Sequence, residues 1–388
     1  MKGRSVLSKV SPRRGEPIRF LLSPLALLRS ASSGTIRLVI AAVAVTWIPP
    51  AILAAFHGLD SLRSFLVDYA AQSRLLVVIP LLILAEPPLV ARLARVARHF
   101  RDAGLIKEVD LPRFASALSD FMRRGDSLIV RVVLVLLAYM FLGSVMSVVT
   151  LSSVMPWCFD AGGVANLSRA GSWYIMVSLP IVLYILLRWV WRQLLWLWFL
   201  GITSRMDLQL IPSHPDQAGG LSFVEHCMRG YLPFGFAIGT IFAGAVANRV
   251  VYLHQSLAAF KYMPIVVIAI VVIVCVAPLC VFWSTLVRTR RRGIFQYGTL
   301  AMSMGRQFEH KWLVDPARAR DGALEEPDFS ATTDLYSIVA NVHAMTPFPI
   351  EKLSFIRLVI AALAPAIPLA FIALPFNVIM EHIIKLLL

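Results

Sequence analysis

RLLVVIPLLILAEPPLVARLARVARHFR, residues Arg74–Arg101, changes character halfway along. Up to Val90 it is almost wholly apolar, with Glu86 and the Pro87–Pro88 pair inside the run. From Arg92 an arginine returns at every third position (Arg92, Arg95, Arg98, Arg101), with Leu93, Val96, Ala97 and Phe100 between. A helix needs about 20 apolar residues to cross a bilayer. A basic amphipathic helix suits a surface of anionic headgroups. The stretch predicts a membrane span over 75–92 that leaves the bilayer as a lipid-facing helix.

The rest of the chain follows the same pattern. Its 388 residues are 58% apolar and 15% charged, and its mean hydropathy is +0.75. A soluble domain carries about 25% charged residues, so the composition is that of a multi-pass, all-α membrane bundle. Seven spans are predicted, near 36–56, 75–92, 128–154, 173–200, 231–253, 263–287 and 355–376. The organisation that results is a basic N-terminal segment (1–34), then a six-helix membrane region (35–287) with loops at 92–127 and 201–230. Amphipathic helices follow over 288–352, around 294–312 and 331–345, and a last span with an interfacial tail closes the chain (353–388).

The net charge of +15 invites a nucleic-acid reading, but its distribution argues against one. Residues 1–34 hold seven Lys or Arg against Glu16, segment 92–127 holds eight, and 288–292 reads RTRRR. The 57–74 loop is balanced (Asp60, Arg63, Asp68, Arg74), and 155–172 carries only Asp160 and Arg169. Basic and neutral loops alternate as seven spans require. By the positive-inside rule the N-terminus is cytoplasmic. FLLSPLALL (20–28) is interrupted by Pro24 and the first strong apolar run begins at Ile36, so that run reads as an uncleaved anchor. Four cysteines without a CxxC indicate neither a disulfide framework nor a zinc site.

Ionisable residues inside spans are the first functional candidates. Glu86, Arg131, Arg188 and Arg192 all fall in the cytoplasmic half, three cations to one acid. A Glu86–Arg188 pair is expected, because a lone carboxylate there is costly, and the surplus positive charge would favour an anionic solute. The competing expectation is that the arginines snorkel to headgroups beside the tryptophans of LLRWVWRQLLWLW. Pro49–Pro50 and Pro87–Pro88 are candidate helix breaks, tolerated where a helix faces protein or a wet cavity. Gly235 and Gly239 form a GxxxG in the 231–253 span, which suits tight helix packing or a homo-oligomer contact. IRLVIAA occurs at 36–42 and again at 356–362, either by coincidence or as two equivalent Pro-bent helices.

IPSHPDQAGGLSF (211–223) joins two spans on the cytoplasmic side and concentrates His214, Asp216, Gly219 and Gly220. Its HPD is shared with J-domain co-chaperones, which need flanking helices of a soluble module that are missing here. His214, Asp216, Glu225 and His226 match no metal-ligand spacing, and a hydrolase built on His214 and Asp216 lacks a nucleophile. The structural reading is a turn: Asp216 makes an Asx turn, and Gly219 and Gly220 permit positive φ. Ser222 and Glu225 have capping-box spacing for the helix that follows. Such a rigid loop could also gate a pore below Arg188 and Arg192.

SHPDQAGGLSF after a Trp/Arg-rich span resembles the THPD-x-AGGLGFL pattern of an uncharacterised family of multi-pass proteins from Gram-negative bacteria. RRRGIFQYGTLAMSMGRQFEHKW is similar to that family's RRG-x-x-x-YG segment with its terminal KW. MTPFPIEKLSFIRLVIAALAPAIPLAFIALPF resembles its C-terminal ending. Ser213 and Ser222 depart from the family's Thr and Gly. The resemblance covers the second half of the chain and implies an inner-membrane location, not a chemistry. The leading expectation is an inner-membrane channel or transporter that prefers an anionic solute. The alternatives are a signalling or scaffold protein using its cytoplasmic helices, and an enzyme acting on a lipid-linked substrate through His214, Asp216 and Glu225. Expected partners are membrane lipids and a second copy of the chain. No motif indicates haem, flavin, nucleotide or an iron–sulfur cluster.

Overall fold

A computed structural model of the chain describes residues 32–125, 127–146, 155–159, 167–313 and 327–369. Most of the basic N-terminal segment, the far end of the third predicted span, much of 155–172, the acidic loop before Asp328 and the C-terminal tail lie outside them. The fold is an all-α bundle, and among the described residues it contains no strand beyond isolated bridges. Among the described residues, six helices are long and apolar enough to cross a membrane. They are α1 (Ser33–His57), α3 (Tyr69–Asp102), α6 (Arg169–Ser204), α7 (Ser222–Tyr252), α8 (Leu257–Trp312) and α10 (Lys352–Leu369). A seventh, α5 (Leu128–Met146), qualifies together with α4 (Leu111–Gly125), from which it is bent by 51°. The short α2 (Leu59–Leu66) and α9 (Asp328–Ala344) complete the set.

The proline pairs do not break their helices, contrary to the sequence expectation. α1 runs through Pro49 and Pro50, and the helix Ile79–Asp102 runs through Pro87 and Pro88. A proline at position i removes the donor for the carbonyl of i−4 and crowds that carbonyl with its ring, and around the first pair those carbonyls find new donors. Val45 O, freed by Pro49, accepts from Trp173 Nε1 at 3.1 Å. Thr46 O, freed by Pro50, accepts from Ser178 Oγ at 2.7 Å. Solitary prolines follow suit. Met176 O, freed by Pro180, accepts from the Tyr139 hydroxyl at 2.9 Å. Val274 O, freed by Pro278, accepts from Gln193 Nε2 at 2.9 Å. Two of these bonds join α6 to α1, one joins it to α5 and one to α8.

Irregular turns occur elsewhere, just ahead of single prolines. α3 is π-helical over Ser73–Val78, before Pro80, and α6 over Tyr174–Ser178, before Pro180. Widened turns of this kind accommodate the lost donor without ending the helix.

The glycines of α7 are used within the chain. A methyl on Gly239 would sit 1.9 Å from Ala362 O of α10, and one on Gly244 would sit 2.8 Å from Tyr69 O of α3. Gly235 faces Val271 and Leu358. The glycine stripe therefore seats α3, α8 and α10 against α7, and its glycine-lined approach is occupied from within. The two IRLVIAA copies differ in surroundings: Leu358 is fully buried in this seam, whereas Leu38 is 58% exposed. They are not equivalent helices.

The proline-freed carbonyls generate a test by double mutation. Ser178→Ala should cost about 1 kcal/mol, the scale of one hydrogen bond. In a Pro50→Ala background, where the backbone N–H is restored, the same change should cost close to nothing. Thermal unfolding of the purified protein in detergent measures both; equal losses in the two backgrounds would refute the assignment.

Candidate functional site

The charged residues of α3 and α6 meet inside the bundle. Glu86 Oε1 accepts from Arg188 Nε at 2.7 Å and from Arg192 Nη2 at 2.6 Å. Arg188 and Arg192 are one helical turn apart, so both side chains leave α6 on the same face. Arg192 is buried, while Glu86 and Arg188 are partly exposed. Removing one member of such a cluster leaves charge without compensation, a cost of about 3–5 kcal/mol when fully buried and less here. Arg131, the fourth candidate, stands exposed on the first turn of α5.

Beside this cluster lie buried polar atoms that the helices do not satisfy. The Tyr231 hydroxyl, the Trp189 indole N–H and Gln193 Oε1 have no hydrogen-bond partner among the described residues. Tyr231 is within electrostatic reach of Arg192, and its ring packs edge-on against Trp189, with centroids 5.8 Å apart. An unsatisfied buried hydroxyl costs about 1–3 kcal/mol. Two guanidinium groups converging on one oxygen, with a phenol nearby, form an arrangement that recognises oxyanions.

A second polar cluster, at the other end of α3, was not singled out in the sequence. Asp68 is 1% exposed. It caps α3 through Ala71 N at 2.8 Å and accepts from Asn248 Nδ2 and Trp157 Nε1, each at 2.8 Å. Arg74 Nη1 donates to the Tyr174 hydroxyl at 3.1 Å. Two signals could have found it: an Asp directly ahead of a helical run, and an Asn in the otherwise apolar second half of α7.

The HPD loop is a fastening. The Asp216 carboxylate accepts three backbone N–H bonds, from Ala218 (2.9 Å), Gly220 (3.0 Å) and Ser222 (3.1 Å). Gly219 and Gly220 take φ of 67° and 95°, and Gln217, with φ 55°, joins them in the left-handed region. His214 Nδ1 lies 2.8 Å from Asp216 Oδ1. The same nitrogen accepts from the Asp216 backbone N–H at 3.3 Å. Burial works against the charged carboxylate, but the three amides and the histidine outweigh it and hold Asp216 below its ordinary value of 3.8.

The same loop binds the helix ends around it. Gln209 N donates to Leu105 O at 2.9 Å, and Lys107 pairs with Asp207. Pro212 sits against Gly293 of α8. Thr346 N donates to Gln217 O at 2.8 Å.

Glu225 does not close a capping box with Ser222, because Asp216 already takes the Ser222 amide. Its carboxylate instead accepts from Glu351 N and, at 2.7 Å, from Ser354 Oγ. It caps α10 from across the fold, a long-range partner that local spacing does not reveal.

Because folding depresses the Asp216 pKa, the stability it supplies is complete above 3.8 and is lost as pH falls through the folded value. Hydrogen exchange should show protected Ala218, Gly220 and Ser222 amides at neutral pH that lose protection below that point. Asp216→Ala should remove the protection at every pH, at a cost of about 2–4 kcal/mol for the orphaned donors. Unchanged protection in the variant would overturn the role assigned to this carboxylate. Comparison of the chain with protein-family models, with curated proteins and with solved structures finds no match.

Proposed function

We propose that this multi-span protein moves an anionic solute across the bacterial inner membrane, with Arg188 and Arg192 as its station and Glu86 as a tethered counter-anion. The observation that carries the reading is the convergence of both guanidinium groups on a single oxygen, Glu86 Oε1. A solute carboxylate or phosphate offers the same chemistry as the Glu86 carboxylate and takes its place when that side chain withdraws. Tyr231, buried beside Arg192 with an unsatisfied hydroxyl, supplies a further donor. The flanking arginine-rich segments favour the cytoplasmic half of the bundle for this station by the positive-inside rule.

A second reading, a membrane-anchored scaffold, draws on the α8–α9 hairpin. Beyond Arg288–Arg292 it exposes Phe295, Leu300, Met302 and Tyr336. Large apolar side chains on helices outside the spans suit a protein partner.

Purified protein in liposomes, assayed for uptake of chloride, inorganic phosphate and small carboxylates, separates these readings. Arg188→Gln and Arg192→Gln should each lower uptake by about 10–100-fold, the loss of one charge-assisted hydrogen bond. Glu86→Gln should retain uptake and lower the half-saturating concentration, because the built-in competitor loses its charge. Absence of uptake for every anion, or an Arg188→Gln protein as active as the wild type, would defeat the transport reading.

A further inference from the structure

Where α3 leaves the apolar bundle it folds back on α4, and a cavity of about 180 Å³ opens between them, lined by Arg98, Arg101, Leu111, Phe114, Ala115 and Leu118. We propose that this groove binds the headgroup of an anionic phospholipid, its phosphate on the two arginines and its chains leaving along Leu111 and Leu118. The assignment is independent of the transport reading.

Three observations support it. The groove is amphipathic in the sense a lipid requires, with two guanidinium-bearing walls on α3 facing apolar side chains on α4. It is smaller than the roughly 300–1,000 Å³ that encloses a whole small molecule, which fits a headgroup whose chains continue into the bilayer. Its floor is rigid: Phe114 is buried between Phe100, at 6.3 Å, and Phe199, at 5.5 Å.

The arginines keep enough freedom to serve. Arg98 Nε is bound to Ala94 O at 3.2 Å, a bond that leaves the terminal nitrogens to other acceptors. Arg101 shares Asp102 Oδ1 through Nε at 3.1 Å and Nη2 at 3.0 Å. That pair is more than half exposed on both sides, and exposed ion pairs contribute little, so a phosphate competes with it. Arg92 and Arg95 on the same helix add to the positive field, and basic residues near an anionic leaflet are drawn to it cumulatively.

The test uses the full chain in nanodiscs with photoreactive phosphatidylglycerol or phosphatidylcholine, the labelled peptides being mapped by mass spectrometry. Phosphatidylglycerol should label residues 98–118 roughly tenfold more than phosphatidylcholine, and Arg98→Ala with Arg101→Ala should remove the excess. Arg98→Lys with Arg101→Lys should keep most of it. Ala115→Trp, which fills the groove and leaves every charge in place, should block labelling even if the double alanine variant folds poorly. Equal labelling by the two lipids, or labelling that survives Ala115→Trp, would overturn the proposal. So would displacement by millimolar inorganic phosphate, which would assign the groove to a soluble anion.

Discussion

In hydrocarbon a backbone carbonyl without a donor has no water to turn to, and the arrangement of this bundle depends on that constraint. Prolines in α1, α6 and α8 each free a carbonyl, and for four of them the replacement donor comes from another helix. The donors differ in chemistry (indole, hydroxyl, phenol, amide) but three of the four sit on α6. The fourth bond runs the other way, from Tyr139 on α5 to a carbonyl of α6. Each of these four prolines is therefore a directional socket. It fixes which neighbour approaches, at what depth and with which residue.

A different chemistry holds the other helices. α3, α7 and α10 meet where Gly239 and Gly244 allow backbone to approach backbone, contacts that depend on the absence of a side chain. Polar bonds finish the seam at both ends: Asn248 to Asp68 at one, and Glu225 to Ser354 at the other. The HPD loop then ties Leu105, just past α3, and Gly293 within α8 to the stretch leading into α10. The result is a socketed group (α1, α5, α6 and the membrane part of α8) and a glycine-seamed group (α3, α7, α10).

Much of this was legible in the sequence where the determinant is local. Spans follow from runs of apolar residues, and the Glu86–Arg188 contact follows from the cost of a lone carboxylate among cations. The Asp216 turn follows from Asx chemistry followed by two glycines. The rest depends on partners far away in the chain. Glu225 has capping-box spacing with Ser222, but its acceptor capacity goes to residues about 125 positions later. Pro49 and Pro50 read as breaks because the donors that rescue their carbonyls lie on α6 and not on α1. Asp68 looked like one charge of a balanced loop, because its burial is created by Trp157 and Asn248.

The two groups meet at the charged residues, and this bears on how the bundle could work. The proline-freed carbonyls and the Gly239 and Gly244 approaches lie within each group, while Gly235 also seats Val271 of α8 against α7. Between α3 and α6 the polar contacts are side-chain ones, Glu86 with Arg188 and Arg192, and Arg74 with Tyr174. Side-chain ion pairs can exchange one anion for another at little net cost, whereas a socketed carbonyl in lipid cannot exchange its donor for water. A displacement that separated Glu86 from its arginines would thus leave both groups intact and use the contacts best suited to change. The π-helical turns lie in α3 and α6, the two helices on either side of that boundary. Widened turns recur at functional sites, and here they fall in the helices whose relative movement would expose the arginine pair.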